Sequence, residues 1–335
     1  MGALGIMMLR RGTMANPIAG SDYIKFADAE VERILMSKGV SSDGVGITKD
    51  DAAKVTNIDK WFPQNKKIET FDELRYFTGL TSIGSSTTTT EKDGFAECSN
   101  LRSIILPDTI KKLGALAFFR CDNLTAIQIP DNIEEIGAGT FRSVPAALVI
   151  SLPKLKKVRA FTDYNVSYTF RASGVRRVED MGAVSETYGE FNAYQTDARF
   201  GVFYECPYLE YADIRNLVSI GACMFGRCDA LKDIIMEKAE VIGKGAFIRC
   251  SAIETLRIPA TAKSISDFAI SYCDSLKTLI VEASTPPNIV YDSIGNVPML
   301  ASIYVPDASV DLYKSTSYWG SRWSDKIKPL SEYQG

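Results

Sequence analysis

The sequence predicts an α/β-type solenoid, a stack of coils of 22–23 residues closed at each end by a cap. Three observations carry that prediction. A phenylalanine stands three residues before a cysteine in FAEC (95–98), FFRC (118–121), FYEC (203–206), FGRC (225–228) and FIRC (247–250). The cysteine spacing is 23 residues from Cys98 to Cys121, then 22, 22 and 23 from Cys206 through Cys228 and Cys250 to Cys273. Three residues after each comes Leu101, Leu124, Leu209, Leu231, Ile253 or Leu276, followed by alternating apolar residues as in LRSIILP and LTAIQIP.

The rest of each repeat follows in order. A second apolar pair ends in glycine, in KKLG (111–114), EEIG (134–137), VSIG (218–221) and EVIG (240–243). A small residue then precedes the phenylalanine, as at Ala117-Phe118, Thr140-Phe141 and Ala246-Phe247. A repeat of this length with leucine-like positions in a short strand is a leucine-rich-repeat signature. One coil is too small to bury its own apolar face, and stacking places like residues on like residues to make a continuous core. Leu101, Ile104 and Leu106 point inward along the strand. Pro107, Pro130 and Pro259 end strands, because proline cannot donate to the ladder. Phenylalanine and cysteine fill the far side of the coil.

The cysteines read as core thiols, small buried hydrophobes, and Val144 and Val297 occupy the same slot. Coils ~4.8 Å apart would bring cysteine Cα atoms within disulfide range, so distance leaves disulfides open. Against them stand an odd count of 7 and parallel side chains that rarely meet the required torsion, and no CxxC pair suggests a zinc knuckle.

Residues 1–21 read as a tail and 22–70 as a small helical cap over the open end of the solenoid. Phe26, Val31, Ile34 and Leu35 have helical spacing, and Thr48 ahead of Asp50 and Asp51 reads as an N-cap. Within this cap SSDGVGITKDD resembles an EF-hand loop aligned on Gly46, with Ser41, Asp43 and Val45 at early ligand positions. Its seventh position is missing and Asp51 replaces the bidentate glutamate, so it reads as a decayed loop serving as a turn, without metal.

Coils run over 71–306, with insertions near 85–94, 162–169 and 183–200. The 62 residues between Val144 and Cys206 read as two degenerate coils interrupted by TDYNVSYTF and AVSETYGEFNAYQTDARF. These inserts hold Tyr164, Tyr168, Tyr188, Phe191, Tyr194 and Phe200. Solenoid insertions map to loops, often on the binding face, and tyrosine suits recognition surfaces; the same rings equally suit patching the core of misfit coils. A second candidate surface is the row of outward strand positions Ile105, Gln128, Asp213, Ile235, Arg257, Ile280 and Tyr304, with Ile235, Arg257, Ile280 and Tyr304 as its binding candidates. Residues 307–335 read as the C-terminal cap, Asp307 capping a short helix that carries Val310 and Tyr313, and Trp319, Trp323 and Ile327 closing the last coil.

Composition excludes several classes. The net charge is −3, without the basic stripe of a nucleic-acid binder, and no apolar run approaches the ~20 residues of a membrane span. With no histidine, Ser-His and Cys-His pairs and imidazole metal sites are gone. There is no GxSxG, HExxH or P-loop, and neighbouring carboxylates such as Glu134-Glu135 read as solvated charges. No enzyme, catalytic residue, metal or cofactor is expected. The opening MGALGIMMLRRG sets apolar residues before arginines, the reverse of a secretory leader.

The pattern C-x-x-L-x-x-I-x-(I/L)-P-x-x-(I/V)-x-x-I-G-x-x-A-F, over about 71–306, resembles the BspA-type leucine-rich repeats of gut and oral bacteria and their phages. FADAEVERILMSKGVSSDGVGITKDDAAKVTNI before it and IYVPDASVDLYKSTSYWGSRWSDKIKPLSEYQG after it are similar to the segments that flank such repeats. The resemblance implies adhesion or recognition, with a cell-surface glycan or protein as partner. Without a leader, the expected setting is a phage or prophage virion, as a tail fibre or accessory component beside other virion proteins. A bacterial cell-surface adhesin and an assembly scaffold without external ligand are the alternatives.

Overall fold

The computed structural model describes residues 23–84, 91–146, 148–159, 169–181, 186–188 and 201–335. The coils stack as the repeat predicts, and each has three sides. The first side is a short strand from the LxxIxL segment, paired in parallel with its neighbours. Ser103–Ile105 pairs with Ala126–Gln128, Ile104 opposite Ile127, and Thr255–Ile258, Thr278–Val281 and Ser302–Val305 form one ladder. The second side is a shorter strand ending at the recurrent Ile-Gly: Lys112–Leu113 pairs with Glu135–Ile136, and Val241–Ile242 with Ser264–Ile265. That glycine is needed because successive coils nearly touch there: a Cβ on Gly114 would lie 2.2 Å from the carbonyl oxygen of Gly84 one coil earlier.

The third side is the turn that holds phenylalanine and cysteine. The rings of Phe62, Phe95, Phe118, Phe141, Phe170, Phe203, Phe225 and Phe247 form a column, with adjacent centroids 5.1–5.7 Å apart and planes within 20° of parallel. All eight are fully buried. Each of the six repeat cysteines donates its thiol to the carbonyl oxygen of the phenylalanine one coil back, as Cys121 to Phe95 at 3.1 Å, Cys228 to Phe203 at 3.1 Å and Cys250 to Phe225 at 3.0 Å, whereas Cys223 donates to Lys244. Every cysteine is a buried thiol, and none forms a disulfide. The residue before this slot, from Glu97 to Asn296, is non-glycine yet left-handed, with φ between 51° and 62°. This turn aims its N–H at the following coil, as in Arg227 N–H to the Ile248 carbonyl at 2.8 Å, so inter-coil hydrogen bonds offset its strain.

The irregular middle holds two coils, as expected. Phe170 and Phe203 continue the column, so Phe170, the last residue of TDYNVSYTF, belongs to the core rather than to an insert. Within the predicted insertion 183–200, Glu186–Tyr188 is the second-side strand of its coil and pairs with Lys157–Arg159. Tyr188 therefore sits in a ladder and not in a loop.

The N-terminal cap is helical where predicted. A helix, α1 (Ala29–Ser37), buries Val31, Ile34 and Leu35 and is capped by Asp28. The same carboxylate also accepts the Glu69 and Thr70 amides, tying cap to first coil. A second helix, α2 (Lys49–Ala53), starts with a capping box between Thr48 and Asp51. In the EF-hand-like turn Asp43 is committed to the amides of Val45 and Gly46 and to the Tyr23 hydroxyl.

The C-terminal cap departs from expectation twice. Asp307 does not cap the helix α3 (Val310–Ser315); its carboxylate accepts the Ser331 amide at 3.0 Å instead. Ile327–Pro329 does more than close the coil, since it adds a parallel strand to Ser302–Val305. Tyr313 and Trp319 are fully buried as expected, their polar tips bonded to the carbonyls of Ala283 and Pro287.

Candidate functional site

Because first-side strands pair in register, their outward side chains line up in rows. One row runs Val149, Arg177, Tyr211, Asp233; beside it Ser151 faces Asp180 across a register shift, and Asp213 faces Ile235. The Arg177 guanidinium lies 4.2 Å from the centroid of the Tyr211 ring and pairs with Glu179 at 3.4 Å. Beside it Arg215 clasps Asp213 with bonds of 2.9 and 3.0 Å from Nε and 2.6 Å from Nη2. The Arg215 hydrogen bonds hold the Asp213 carboxyl below the usual range. Asp213 is thus buried and spoken for, and offers little to a ligand; Tyr211, Arg177 and Ile235 remain for contact.

The predicted candidates separate. Ile235 is half-buried and Arg257 exposed, both on this outer face. Arg257 is ion-paired with Glu282. Ile280 is a correction: set between Arg257 and Tyr304 in the ladder, it has no exposed surface at all. Tyr304 is half-buried because the C-terminal segment returns over it, with Tyr333 5.2 Å and Lys328 6.0 Å from its ring. Tyr188 belongs to the second side, and its strand places it on a different face from Ile235. Tyr164, Tyr168, Phe191 and Tyr194 lie outside the described residues. Tyr211 and Arg177 were missed, although Tyr211 stands two residues before Asp213 and strand alternation alone puts both on one face.

A second feature had no place in the sequence reading. The first-side ladder is interrupted between Ala126–Gln128 and Val149–Ser151, and again between Asp233–Ile235 and Thr255–Ile258. Regular coils bond across at the residue after the leucine, as Thr125 N–H does to Arg102 O and Arg176 N–H to Leu148 O. At the first break no equivalent bond exists among the described residues. The strands part around a cavity of about 580 Å³ lined by both of them. In the sequence the position three residues after Val144 is Ala147, where Leu101, Leu124 and Leu209 stand in other coils. Ile127 and Ile234, the inward residues of the strands that precede the two breaks, are only half-buried, whereas Ile150 and Leu256 in the strands that follow them are buried, as are Ile104 and Val178.

The chain matches the BspA type leucine rich repeat region, in 6 copies, over residues 66–180 and 197–321. No curated protein matches it. Among solved structures it is similar to a leucine-rich repeat protein from Bacteroides ovatus, with a TM-score of 0.56 and 16% identity, covering 82% of this chain and 63% of that one. That is a likeness of fold, and this chain spans less than two thirds of that protein. A leucine rich cell surface protein from Faecalibacterium prausnitzii (18% identity, 75% and 74% covered, TM-score 0.35) and an internalin from Listeria monocytogenes (11%, 91% and 95%, 0.26) also align, with too little superposition to carry weight.

Proposed function

This chain belongs to the BspA-type leucine-rich-repeat family, and on that premise we propose that it is a non-catalytic recognition protein that binds a cell-surface protein or glycan with the outer face of its first-side strands. The observation behind the reading is the patch formed by Arg177, Tyr211 and Ile235: a guanidinium 4.2 Å from the centre of an aromatic ring opposite it in the ladder, with an aliphatic residue in the adjacent row. Tyrosine and arginine anchor interfaces out of proportion to their number, and fixing them beforehand lowers the entropy lost on binding. The setting proposed with it is a phage or prophage particle, as a tail fibre or accessory component in contact with other virion proteins.

Two measurements test this. Purified chain is screened against a glycan array and against intact bacterial cells. The double variant Arg177→Ala/Tyr211→Ala should lose at least tenfold in binding, while Tyr291→Ala, exposed on a ring away from this patch, should bind as the parent does. Equal binding by all three removes the patch from the proposal. Mass spectrometry of purified particles checks the setting; recovery from the bacterial cell envelope and absence from particles would replace the virion reading by that of an adhesin.

A further inference from the structure

The interrupted ladder is a separate site from the outer-face patch. Most Cα pairs between Ala126–Gln128 and Val149–Ser151 lie beyond 8 Å, against ~4.8 Å for a normal strand pair and roughly twice that for two strands with one between them. The opening does not spread through the coil. On the second side Glu135–Ile136 still pairs with Lys157–Arg159, and Phe118, Phe141 and Phe170 stay stacked. The slot is therefore a wedge with a fixed floor.

Its walls are main chain. In a parallel ladder the N–H and C=O of one residue point to the same neighbour, and successive residues alternate. Ala126 donates back to Arg102, and Gln128 accepts from Leu106. Ile127 and Ile129 therefore turn theirs to the slot. On the far wall Leu148 accepts from Arg176 and Leu152 donates to Asp180, which turns Val149 and Ser151 to the slot. Sheet edges of this kind are templates for another strand. The half-buried Ile127 side chain lies at the floor, short of an apolar cover. Asp131, just past Ile129, lines the cavity, and no lysine or arginine does.

We propose that this slot captures an extended peptide segment of a partner protein, which enters as a parallel strand, completes the ladder on both walls, covers Ile127 with an apolar side chain and offers a basic side chain to Asp131. Main-chain pairing would supply the affinity and the alternating side chains the selectivity. The site goes beyond the outer-face reading and does not rest on it, so either can fail alone.

The test uses the full chain and two capped eight-residue peptides of alternating valine and lysine, one plain and one N-methylated at alternate residues. Binding is read by calorimetry, and hydrogen exchange reports the amides of Ile127, Ile129, Val149 and Ser151. The plain peptide should bind and slow exchange at these four amides at least tenfold, and the methylated one should bind at least tenfold more weakly. Val149→Pro removes one slot-facing donor that no native bond uses, and should weaken binding tenfold while leaving the melting temperature within a few degrees; if it does not fold, the methylated peptide decides. Asp131→Asn should weaken binding and flatten its dependence on salt. Absence of binding, protection elsewhere, equal affinity of the methylated peptide, or protection of these amides only by an oligosaccharide or by a second copy of the chain would each overturn the proposal.

Discussion

Cys228 illustrates why cysteine recurs in a slot that size alone would give to alanine or valine. Its sulfur fills the space beside the ring column, and its proton goes to the Phe203 carbonyl at 3.1 Å. Alanine would lose both the volume and the bond. Cys228→Ala should cost about 1–3 kcal/mol, read from urea midpoints. Phe225→Ala opens the column between two stacked rings at 5.5 and 5.7 Å and should cost about 3–5 kcal/mol. Burial also raises the thiols of Cys98, Cys121, Cys228, Cys250 and Cys273, with Cys98 and Cys273 pushed up to about 12. The sign follows from the order of the two pKa values. An unfolded cysteine ionises near ~8.5, below the folded value. The stability that these protonated thiols contribute is therefore complete below that pH and is lost as pH rises toward the folded values. Each thiol should remove about 1.4 kcal/mol per pH unit across that window. Urea midpoints should fall steeply from pH 8 to pH 10, and Cys98→Ala should lessen the slope; a flat profile would contradict thiol burial.

Among the elements, the last strand is the most exposed to test. Ile327–Pro329 covers the edge of Ser302–Val305, and a bare edge pairs with other chains. A chain ending at residue 326 should self-associate in light scattering where the full chain does not. That strand was invisible in the sequence because IKP lacks the LxxIxL pattern, and only the ladder reveals it. The regular coils were legible because packing dictates their spacing: Leu101, Ile104 and Leu106 are buried where alternation puts them. Legibility failed where partners came from elsewhere in the chain. Asp307 looked like a helix cap but serves Ser331, and Ile280 looked exposed but is enclosed. Of the outer patch only Ile235 was read, because one of two outward positions per strand was followed. The slot left a trace, Ala147 in place of a leucine, that reads as harmless drift without the neighbouring hydrogen bonds.

At the scale of the whole molecule, each coil touches only its neighbours, so stability is close to a sum over coils and their interfaces. The break before Val149–Ser151 removes ladder bonds from one such interface. Hydrogen exchange should therefore show two blocks on either side of it. Phe225→Ala should speed exchange most in 201–235, between this break and the next, while leaving Leu101, Ile104 and Leu113 protected; uniform acceleration would mean that the breaks do not divide the stack.

The column of rings has a further consequence. Because successive coils from Phe62 to Phe247 each contribute one ring at a fixed height, the column works as a ruler that accepts any whole number of units. Excising 229–250 would join Cys228 to Ser251 and leave Phe225 to meet Ile270, the buried residue whose amide pairs one coil beyond Phe247. The seam would heal without a gap. A gene can lengthen or shorten such a protein by 22 or 23 codons at a time and keep a dry interior throughout, so reach is free to vary while the cross-section stays the same.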